Sequence, residues 1–438
     1  MPEIPVSCDV LVIGGGPAGS SAATHLAQSG VDVVLLERSV FPRNQVGESL
    51  IPHIWKFTDM TAVSEKIEQE GFIEKAGGIT VWNNKIHQIK FSDFGYTRPG
   101  LHVERDVFDD ILLKHAQSCG VNVFTQVAVK KVDFKDSQWP KVAYHNKQGK
   151  AEGMIRCRYV IDASGHSSFL ANQFKSRQTI STEMNFLSLW GYFENSLYAG
   201  VDRKSHVAAE LANVRPVTFV MSFEQGWIWH IVLRGKTSVG LIVPTQRTKD
   251  MDKEQRETFF KQSCASLPYL SKLLEPASFI EGSLQFRPDY SYYSNNICAE
   301  NYYCIGDAGA FVDPVFSHGV QNALYNAAIV ALAIKESLKN KNNRQRYSQL
   351  CESRMQQFYG FSRALSLGDF GANGVNPVLV KNMMKALPAL ELELLLLASE
   401  MTSRSENFIQ LAKDAGVLNR CQEHFSVKGR QWIESLAF

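Results

Sequence analysis

The chain has 438 residues, of which 45% are hydrophobic and 21% charged, and its formal net charge is +2. This composition is typical of a globular protein with two or three packed layers, and the charge gives no electrostatic reason to expect a nucleic acid or a membrane as partner. The eight cysteines contain no Cys-x-x-Cys pair, which argues against a metal site or a disulfide scaffold and favours a reducing, cytoplasmic compartment.

The first predicted elements form a strand, a glycine turn, a helix and a second strand. The runs "VLVIG" and "VDVVLLE" are almost continuously apolar, as parallel strands buried on both faces are. The Ala-rich helix between them is predicted to end at Gly30. Gly14, Gly16 and Gly19 fit G-x-G-x-x-G, so that backbone N–H groups can approach a pyrophosphate at the positive helix end. Glu37 ends the second strand, where a carboxylate can accept hydrogen bonds from a ribose. The unit predicts dinucleotide binding.

The later elements alternate between helical and strand-like patterns. Residues 105–124 repeat the helix-then-strand order, and 159–165 form another buried strand that ends in a turn. Residues 301–334 predict a strand, a loop and a long Ala-rich helix. Between these lie runs such as "VTFVMSF" and "WIWHIVL", within residues 175–285, which predict a mostly antiparallel sheet. After about residue 345 the pattern is helical, and the apolar run at 390–401 carries Glu391 and Glu393 and is too short for a membrane span.

These elements predict an α/β fold in three parts. A discontinuous nucleotide-binding domain is assigned to residues 1–75, 100–172 and 286–345. A mostly antiparallel sheet domain, inserted into it, is assigned to residues 76–99 and 173–285. A C-terminal helical region covers residues 346–438.

Two further residues point to a flavin. Arg105 begins a predicted helix in "HVERDVFDDILL", and Asp307 follows a strand in "GDAGAFVDP". Together with the glycine loop they resemble the large FAD family that includes the aromatic hydroxylases and the flavin-dependent halogenases. The resemblance implies a Rossmann-like FAD-binding domain of the GR2 or hydroxylase type, with Arg105 at the flavin and Asp307 at the ribityl chain. The sequence shows no second glycine loop of the nicotinamide type.

Two segments near the N-terminus resemble the halogenases more closely. "FPRNQVGESLIP" (41–52) is similar to the segment after their second strand, and implies that Gly47 lets the backbone pass close to the flavin while Ser49 hydrogen-bonds it. "GFIEKAGGITVW" (71–82) is similar to a segment of the phenol- and pyrrole-acting halogenases that carries a lysine, here Lys75. In that family the lysine binds hypohalous acid or forms a haloamine. Burial would lower the pKa of the amine and make it usable as a nucleophile. The alternative is a solvated surface lysine.

A third segment, "GWIWHIVL" (226–233), resembles the halogenase pattern G-W-x-W-x-I-P, with Val232 where proline is usual. Trp227 and Trp229 alternate on a strand, so both face the same side. The resemblance implies that they keep the organic substrate away from the flavin. The alternative is an ordinary pair of core aromatics.

A fourth segment, "DPVFSHGVQNA" (313–323), resembles the halogenase loop that precedes a long helix. Backbone N–H groups of His318 and Gly319 would hold chloride or bromide at the positive helix end, with the His318 side chain a bystander and Val320 against the flavin ring. The alternative is a helix cap that only supports the flavin. The cofactor contacts that the resemblance implies are Gly14, Gly16, Ala18, Gly19, Glu37, Gly47, Ser49, Arg105, Asp307, Pro314 and Val320.

The resemblance implies a two-component halogenase of the phenol and pyrrole type. A separate flavin reductase supplies FADH2, and O2 and a halide halogenate a phenol, a pyrrole or an indole, free or attached to a carrier protein. Three alternatives stay open: a single-component aromatic hydroxylase, a flavoprotein of the geranylgeranyl reductase type, and an inactive FAD-binding protein that uses its sheet as an interaction platform.

Overall fold

The computed structural model describes residues 3–82, 85–94, 96–179, 186–224, 226–288, 291–315 and 317–367. None of the helices within these ranges is both long and apolar enough to cross a membrane. The apolar run at 390–401 and most of the predicted C-terminal helical region lie outside the described residues.

Strands and helices are numbered in chain order. The strands are β1 Ser7–Ile13, β2 Val33–Glu37, β3 Ser49–Leu50, β4 Ile73–Lys75, β5 Gly77–Trp82, β6 Lys85–Lys90, β7 Gly100–His102, β8 Asn122–Thr125, β9 Val127–Asp133, β10 Lys141–Asn146, β11 Ala151–Asp162, β12 Arg177–Thr179, β13 Phe186–Glu194, β14 Tyr198–Ala199, β15 Ser205–His206, β16 Val217–Phe223, β17 Gly226–Leu233, β18 Lys236–Pro244, β19 Ser278–Phe279, β20 Gln285–Pro288, β21 Tyr292–Ser294, β22 Cys298–Ala299, β23 Tyr302–Cys304 and β24 Ala310–Phe311. The helices are α1 Pro17–Ala27, α2 Ile54–Met60, α3 Ser64–Gln69, α4 Arg105–Ser118, α5 Phe169–Gln173, α6 Lys253–Ser266, α7 Pro268–Leu273, α8 Gly319–Lys339 and α9 Arg344–Leu367.

The first sheet has the order β22-β23-β11-β1-β2-β8, with β10 and β9 attached at β11. Its central strands β23, β11, β1, β2 and β8 are parallel, as the apolar runs predict. Helix α1 packs against α8 and α4 beside this sheet. The predicted C-terminal cap of α1 at Gly30 is confirmed: the last helical residue is Ala27, Gly30 has φ of +77°, and the N–H groups of Gly30 and Val31 donate to the carbonyls of Ala27 and Leu26 at 2.9 and 3.1 Å.

The second sheet has the order β19-β13-β18-β17-β16-β5-β6, with β20 also paired to β13. Every pairing is antiparallel except that of β5 with β16, which confirms the predicted mostly antiparallel sheet. One face carries residues such as Leu189, Ile228 and Leu241 and packs against α6 and α7. The other face carries Trp190, Trp227, Trp229 and their neighbours. The prediction that Trp227 and Trp229 share one side of the strand is confirmed.

A small sheet, β3-β7-β4, brings two distant motifs together. The central strand β7 pairs with β3 through His102 and Ser49, and with β4 through Gly100 and Lys75. A Cβ on Gly100 would lie 3.0 Å from Cε of Lys75, so the glycine makes room for the lysine side chain. The domain boundaries assigned from the sequence stay a prediction.

Candidate active site

Most of the predicted site residues line one cavity of about 580 Å³. On one side lie the glycine loop after β1 and the end of β2, and on the other the tryptophan face of the second sheet. The predicted residues that line the cavity are Gly14, Gly16, Ala18, Glu37, Gly47, Ser49, Arg105, Trp227, Trp229, Asp307, Pro314, Gly319 and Val320. Gly19, Lys75 and His318 are not among the described residues that line it.

The three glycines of the loop have two different structural roles. Gly14 has φ of +106°, and a Cβ there would lie 2.5 Å from the Ala163 carbonyl oxygen. Gly19 lies in the first turn of α1, where a Cβ would lie 2.0 Å from the Gly14 carbonyl oxygen. Beside Gly16, by contrast, the nearest described atom to such a Cβ is a guanidinium nitrogen of Arg43 at 3.2 Å. Gly14 and Gly19 therefore close the turn, whereas Gly16 keeps the approach to the helix end open.

This cradle fits the pyrophosphate and the ribose of FAD. Gly16 is the N-cap of α1 and no side chain caps the helix, so first-turn N–H groups are available to an anion. The Glu37 carboxylate is buried and accepts hydrogen bonds from the N–H groups of Gly15 and Ser39, both at 2.7 Å. Each carboxylate oxygen keeps a lone pair for a ribose hydroxyl.

Arg105 holds the loop that passes the cavity. Its guanidinium donates to the Asp109 carboxylate at 2.8 and 3.1 Å, and to the carbonyls of Val46 and Gly47 at 2.9 and 3.2 Å. Gly47 has φ of +103°, and a Cβ there would lie 2.8 Å from an Arg105 nitrogen. Asp109 raises the pKa of the Arg105 guanidinium against the opposing effect of burial. The Arg105 guanidinium is thus held by Asp109 on its own helix and fixes the loop through one nitrogen, and its predicted flavin contact stays a prediction.

Asp307 lies after β23, as predicted, and faces several charged groups. Burial raises the pKa of its carboxyl to about 6, and the positive charges of Arg105 and Arg287 oppose this shift. Arg287, on β20, also lines the cavity and donates to the Gln45 side chain at 3.1 Å. The pair Asp307 and Arg287 supplies one hydrogen-bond acceptor and one cation to a polar ligand.

Lys75 is a buried amine, which contradicts the surface interpretation of this residue. The side chain is 2% exposed, and Nζ donates to Ser49 Oγ at 2.6 Å and to Thr218 Oγ1 at 3.2 Å. The Phe91 ring centroid lies 5.4 Å from Nζ. Burial lowers the pKa of the amine to about 7, so a large share is neutral near physiological pH. Ser49 and Thr218 line the cavity, and Lys75 lies directly behind them.

Glu48, next to Ser49, is a second buried ionisable group at the cavity. It accepts a hydrogen bond from the Tyr192 hydroxyl at 2.8 Å. Burial raises the pKa of its carboxyl to about 7, opposed by hydrogen bonds from Ser238 and Tyr192 and by the charges of Lys236 and Arg105. Glu48 can therefore hold or release a proton at neutral pH.

The two tryptophans form a wall of the cavity. Their ring centroids are 5.8 Å apart and their planes are inclined by 50°. The Trp229 ring lies over Gly240, where a Cβ would come within 2.0 Å of it, and its indole N–H donates to Ser238 at 3.2 Å. The buried indole nitrogen of Trp227 has no hydrogen-bond partner among the described residues. The wall is thus packed from behind and presents aromatic surface to the cavity.

The loop at 313–319 leads into α8. Ser317 has φ of +56°, and its hydroxyl donates to Ser49 Oγ at 3.0 Å. Helix α8 begins at Gly319, which lines the cavity, so its first N–H groups can bind an anion there. The His318 imidazole faces a second cavity, on the α9 side, and burial lowers its pKa to about 4. His318 is therefore neutral, in accord with a bystander role for its side chain.

Five residues at this site were not predicted from the sequence: Arg43, Glu48, Thr218, Gly240 and Arg287. Arg43 and Glu48 belong to "FPRNQVGESLIP", so that motif could have drawn attention to them. Gly240 could have been found as a small residue on the strand beside the tryptophans. Thr218 carries no local signal, because only the register of β16 places it beside Lys75.

Comparison with known proteins identifies the family. The family model for tryptophan halogenase matches residues 9–98 and 80–365. A tryptophan 2-halogenase of Chondromyces crocatus is 32% identical over 76% of this chain and 62% of its own length. A flavin-dependent halogenase of Armillaria mellea is 33% identical over 77% of this chain and 66% of its own length. The chain thus spans slightly less than two thirds of these two relatives.

Two solved structures resemble the fold described above. The myxobacterial chondrochloren halogenase CndH, a variant of the FAD-dependent halogenases, has a TM-score of 0.75 and 31% identity, over 83% of this chain and 82% of its own. The flavin-dependent halogenase CmlS has a TM-score of 0.74 and 26% identity, over 81% of this chain and 63% of its own. This chain therefore belongs to the tryptophan halogenase family of FAD-dependent proteins.

Proposed function

We propose that the protein is a two-component halogenase that uses FADH2, O2 and chloride or bromide to halogenate an electron-rich aromatic ring. The observation that carries this proposal is the Lys75 amine, buried and adjacent to the flavin cavity. A structural lysine is rarely buried without a carboxylate partner, whereas an amine that must be neutral to react needs such burial. Bound as FADH2, the cofactor would supply the activation of O2 that oxidises halide to hypohalous acid.

The chain provides a place for each reactant. First-turn N–H groups of α8, near Gly319, bind the halide at the cavity wall. The neutral Lys75 amine then takes the halogen from hypohalous acid: an N–X bond forms, the X–O bond breaks, and the hydroxide leaves as water with one proton of the amine. In the last step a bond forms between the aromatic carbon and the halogen, the N–X bond breaks, and the ring proton passes to the nitrogen, directly or through a base, which restores the amine. Ser49 and Thr218, which separate Lys75 from the cavity, are the first groups that hypohalous acid meets.

The partners and the substrate follow from this chemistry. A flavin reductase supplies FADH2, because the sequence contains no second dinucleotide loop for a nicotinamide. The aromatic substrate is a phenol, a pyrrole or an indole, since an electrophilic halogen requires an electron-rich ring. It is either free or attached to a carrier protein.

One experiment tests this function directly. The protein is incubated with FAD, a flavin reductase, NADH, bromide and a panel of phenols, pyrroles and indoles, free or as carrier thioesters, and products are read by mass spectrometry. We expect a brominated product that requires both bromide and the reductase. A hydroxylated product formed equally without halide, or NADPH-driven turnover without the reductase, would support a hydroxylase instead.

A further prediction concerns the tryptophan wall. Changing Trp227 and Trp229 together to phenylalanine shrinks the wall, so that organic substrate or water reaches the flavin side. We expect more hydrogen peroxide per halogenated product, or some hydroxylated product. The measurement is the ratio of peroxide to product beside the unfolding midpoint, with Trp82→Phe, a buried tryptophan on β5 that does not line the cavity, as control. A parental ratio in the double variant would indicate that the pair only packs the sheet.

A further inference from the structure

Thr218 lies at the centre of a buried polar cluster behind the cavity wall. Its Oγ1 is 3.2 Å from Lys75 Nζ, 2.8 Å from Ser49 Oγ and 2.9 Å from His102 Nε2. Thr218 and Ser49 are each 7% exposed, and His102 is fully buried. A hydroxyl can accept two hydrogen bonds and donate one, so Thr218 can satisfy all three neighbours at once.

The number of acceptors around the amine matches its neutral form. Among the described residues, Lys75 Nζ has two hydrogen-bond acceptors, Ser49 Oγ and Thr218 Oγ1. A neutral amine has two N–H groups and one lone pair, whereas an ammonium group has three N–H groups. Both N–H groups of the neutral amine are therefore occupied, and its lone pair is shared with neither hydroxyl.

In the part of the chain that the structure describes, no carboxylate forms a hydrogen bond or an ion pair with the amine. The titratable neighbour is His102 on β7, whose pKa lies well below its usual value because of burial and the nearby Lys75, so it is neutral. The Phe91 ring and the backbone of Gly100 also lie beside the lysine side chain. Thr218 comes from the second sheet, on β16, whereas Lys75, Ser49 and His102 come from the small sheet β3-β7-β4. Thr218 is thus the contact through which the second sheet can fix the amine.

We propose that Thr218 is a positioning residue for Lys75: together with Ser49 it holds both N–H groups of the neutral amine, so that the nitrogen lone pair is what remains for an electrophilic halogen. This inference rests on the halogen-transfer role proposed for Lys75. His102 holds the Thr218 hydroxyl from behind, and Ser317 continues the cluster from Ser49 to the loop before α8.

The first test follows the amine itself in the full FAD-loaded chain. Lysine labelled with ¹³C at Cε is titrated by NMR, and the Lys75 signal is identified as the one missing in Lys75→Ala. The hydroxyl of Thr218 stabilises the ammonium form more than the neutral amine, because a charged donor makes the stronger hydrogen bond. Thr218→Val, which keeps the shape but removes this acceptor, should therefore lower the titration midpoint by about one pH unit.

Two variants control this test. Thr218→Ser keeps the hydroxyl and should titrate near the parent midpoint. Thr237→Val changes another buried threonine of the second sheet, on β18, and should leave the midpoint unchanged. A parental midpoint in Thr218→Val, or equal shifts in the Val and Ser variants, would overturn the positioning role.

The second test separates position from protonation. At a pH above the titration midpoints of all variants, the Lys75 amine is neutral in each of them. Any remaining difference in activity then reflects the position of the amine. We expect Thr218→Val to form on the order of 10- to 100-fold less halogenated product than the parent. Thr218→Ser should keep most of the activity. If the parent forms no halogenated product, the proposed function fails. If Lys75→Ala halogenates normally, the halogen-transfer role of Lys75 fails. If Lys75→Ala is inactive while Thr218→Val has the activity and the titration midpoint of the parent, only the present inference fails.

Discussion

Replacing Lys75 by alanine is expected to reduce the yield of halogenated product by about 10²-fold or more, the usual cost of losing a positioned catalytic group. The variant removes the amine that holds the halogen beside the substrate. Reoxidation of reduced flavin should stay close to the parent rate, because Lys75 is not among the described residues that line the flavin cavity.

The measurement compares halogenated product and flavin reoxidation side by side. Lys75→Arg should not restore the product, since a guanidinium stays protonated and offers no lone pair. Lys114→Ala removes a lysine that is 73% exposed and serves as the control. Halogenation at the parent rate in Lys75→Ala would show that halogen delivery does not pass through this amine.

The pH dependence of the parent follows from the same residue. Because the pKa of the Lys75 amine is lowered to about 7, the neutral share of the amine rises as the pH increases through about 7, and the rate of halogen transfer should rise with it.

The free energy of unfolding should also increase as the pH rises. An unfolded lysine keeps its proton up to a pH near its ordinary pKa, so between the two pKa values the unfolded chain binds more protons and the folded state gains stability as the pH rises. Lys75→Met should lose this part of the pH dependence.

The sequence predicted the motifs of the site better than their contacts. "GESL" and "GFIEK" were recognised separately, and the sequence assigned Ser49 to the flavin. That flavin contact stays a prediction, and the sequence did not indicate the contacts that the Ser49 hydroxyl makes with Lys75, Thr218 and Ser317. The strand β7 that joins the two motifs has three residues, too few for a periodic pattern to reveal a pairing.

Contacts between the second sheet and the small sheet could not be predicted from local sequence patterns. Thr218 lies 143 positions after Lys75 and reaches it only because β16 and β5 pair in parallel with Thr218 opposite Gly78. The tryptophans show the opposite case: alternation along one strand is enough to place Trp227 and Trp229 on one face. What it could not show is that Gly240 on the neighbouring strand makes room for the Trp229 ring.

Gly16→Val is expected to weaken FAD binding strongly while leaving the fold intact. Gly16 has φ of −74° and ψ of −174°, an extended conformation that valine adopts readily. Its added methyl groups would stand at the open end of α1, where the pyrophosphate must approach the first N–H groups. Overpacking of this kind costs about 1–3 kcal/mol, and each 1.4 kcal/mol is tenfold in affinity, so FAD should bind roughly 10- to 100-fold more weakly.

Two further glycine variants show whether the effect belongs to the binding site. Gly14→Ala places a side chain at φ of +106° against the Ala163 carbonyl, so it should lower the unfolding temperature even without FAD. Gly149→Val adds the same bulk in an exposed turn and should behave like the parent.

Thermal unfolding with and without FAD distinguishes these cases without any assay of activity. A ligand that binds only the folded state at 100 times its Kd stabilises it by about 2.7 kcal/mol, so FAD should raise the unfolding temperature of the parent and of Gly149→Val. For Gly16→Val we expect the parent's unfolding temperature without FAD and a clearly smaller rise than in the parent when FAD is added. A full FAD-dependent rise in that variant would mean that the pyrophosphate does not lie against Gly16, and the assignment of the glycine loop as the FAD cradle would have to be abandoned.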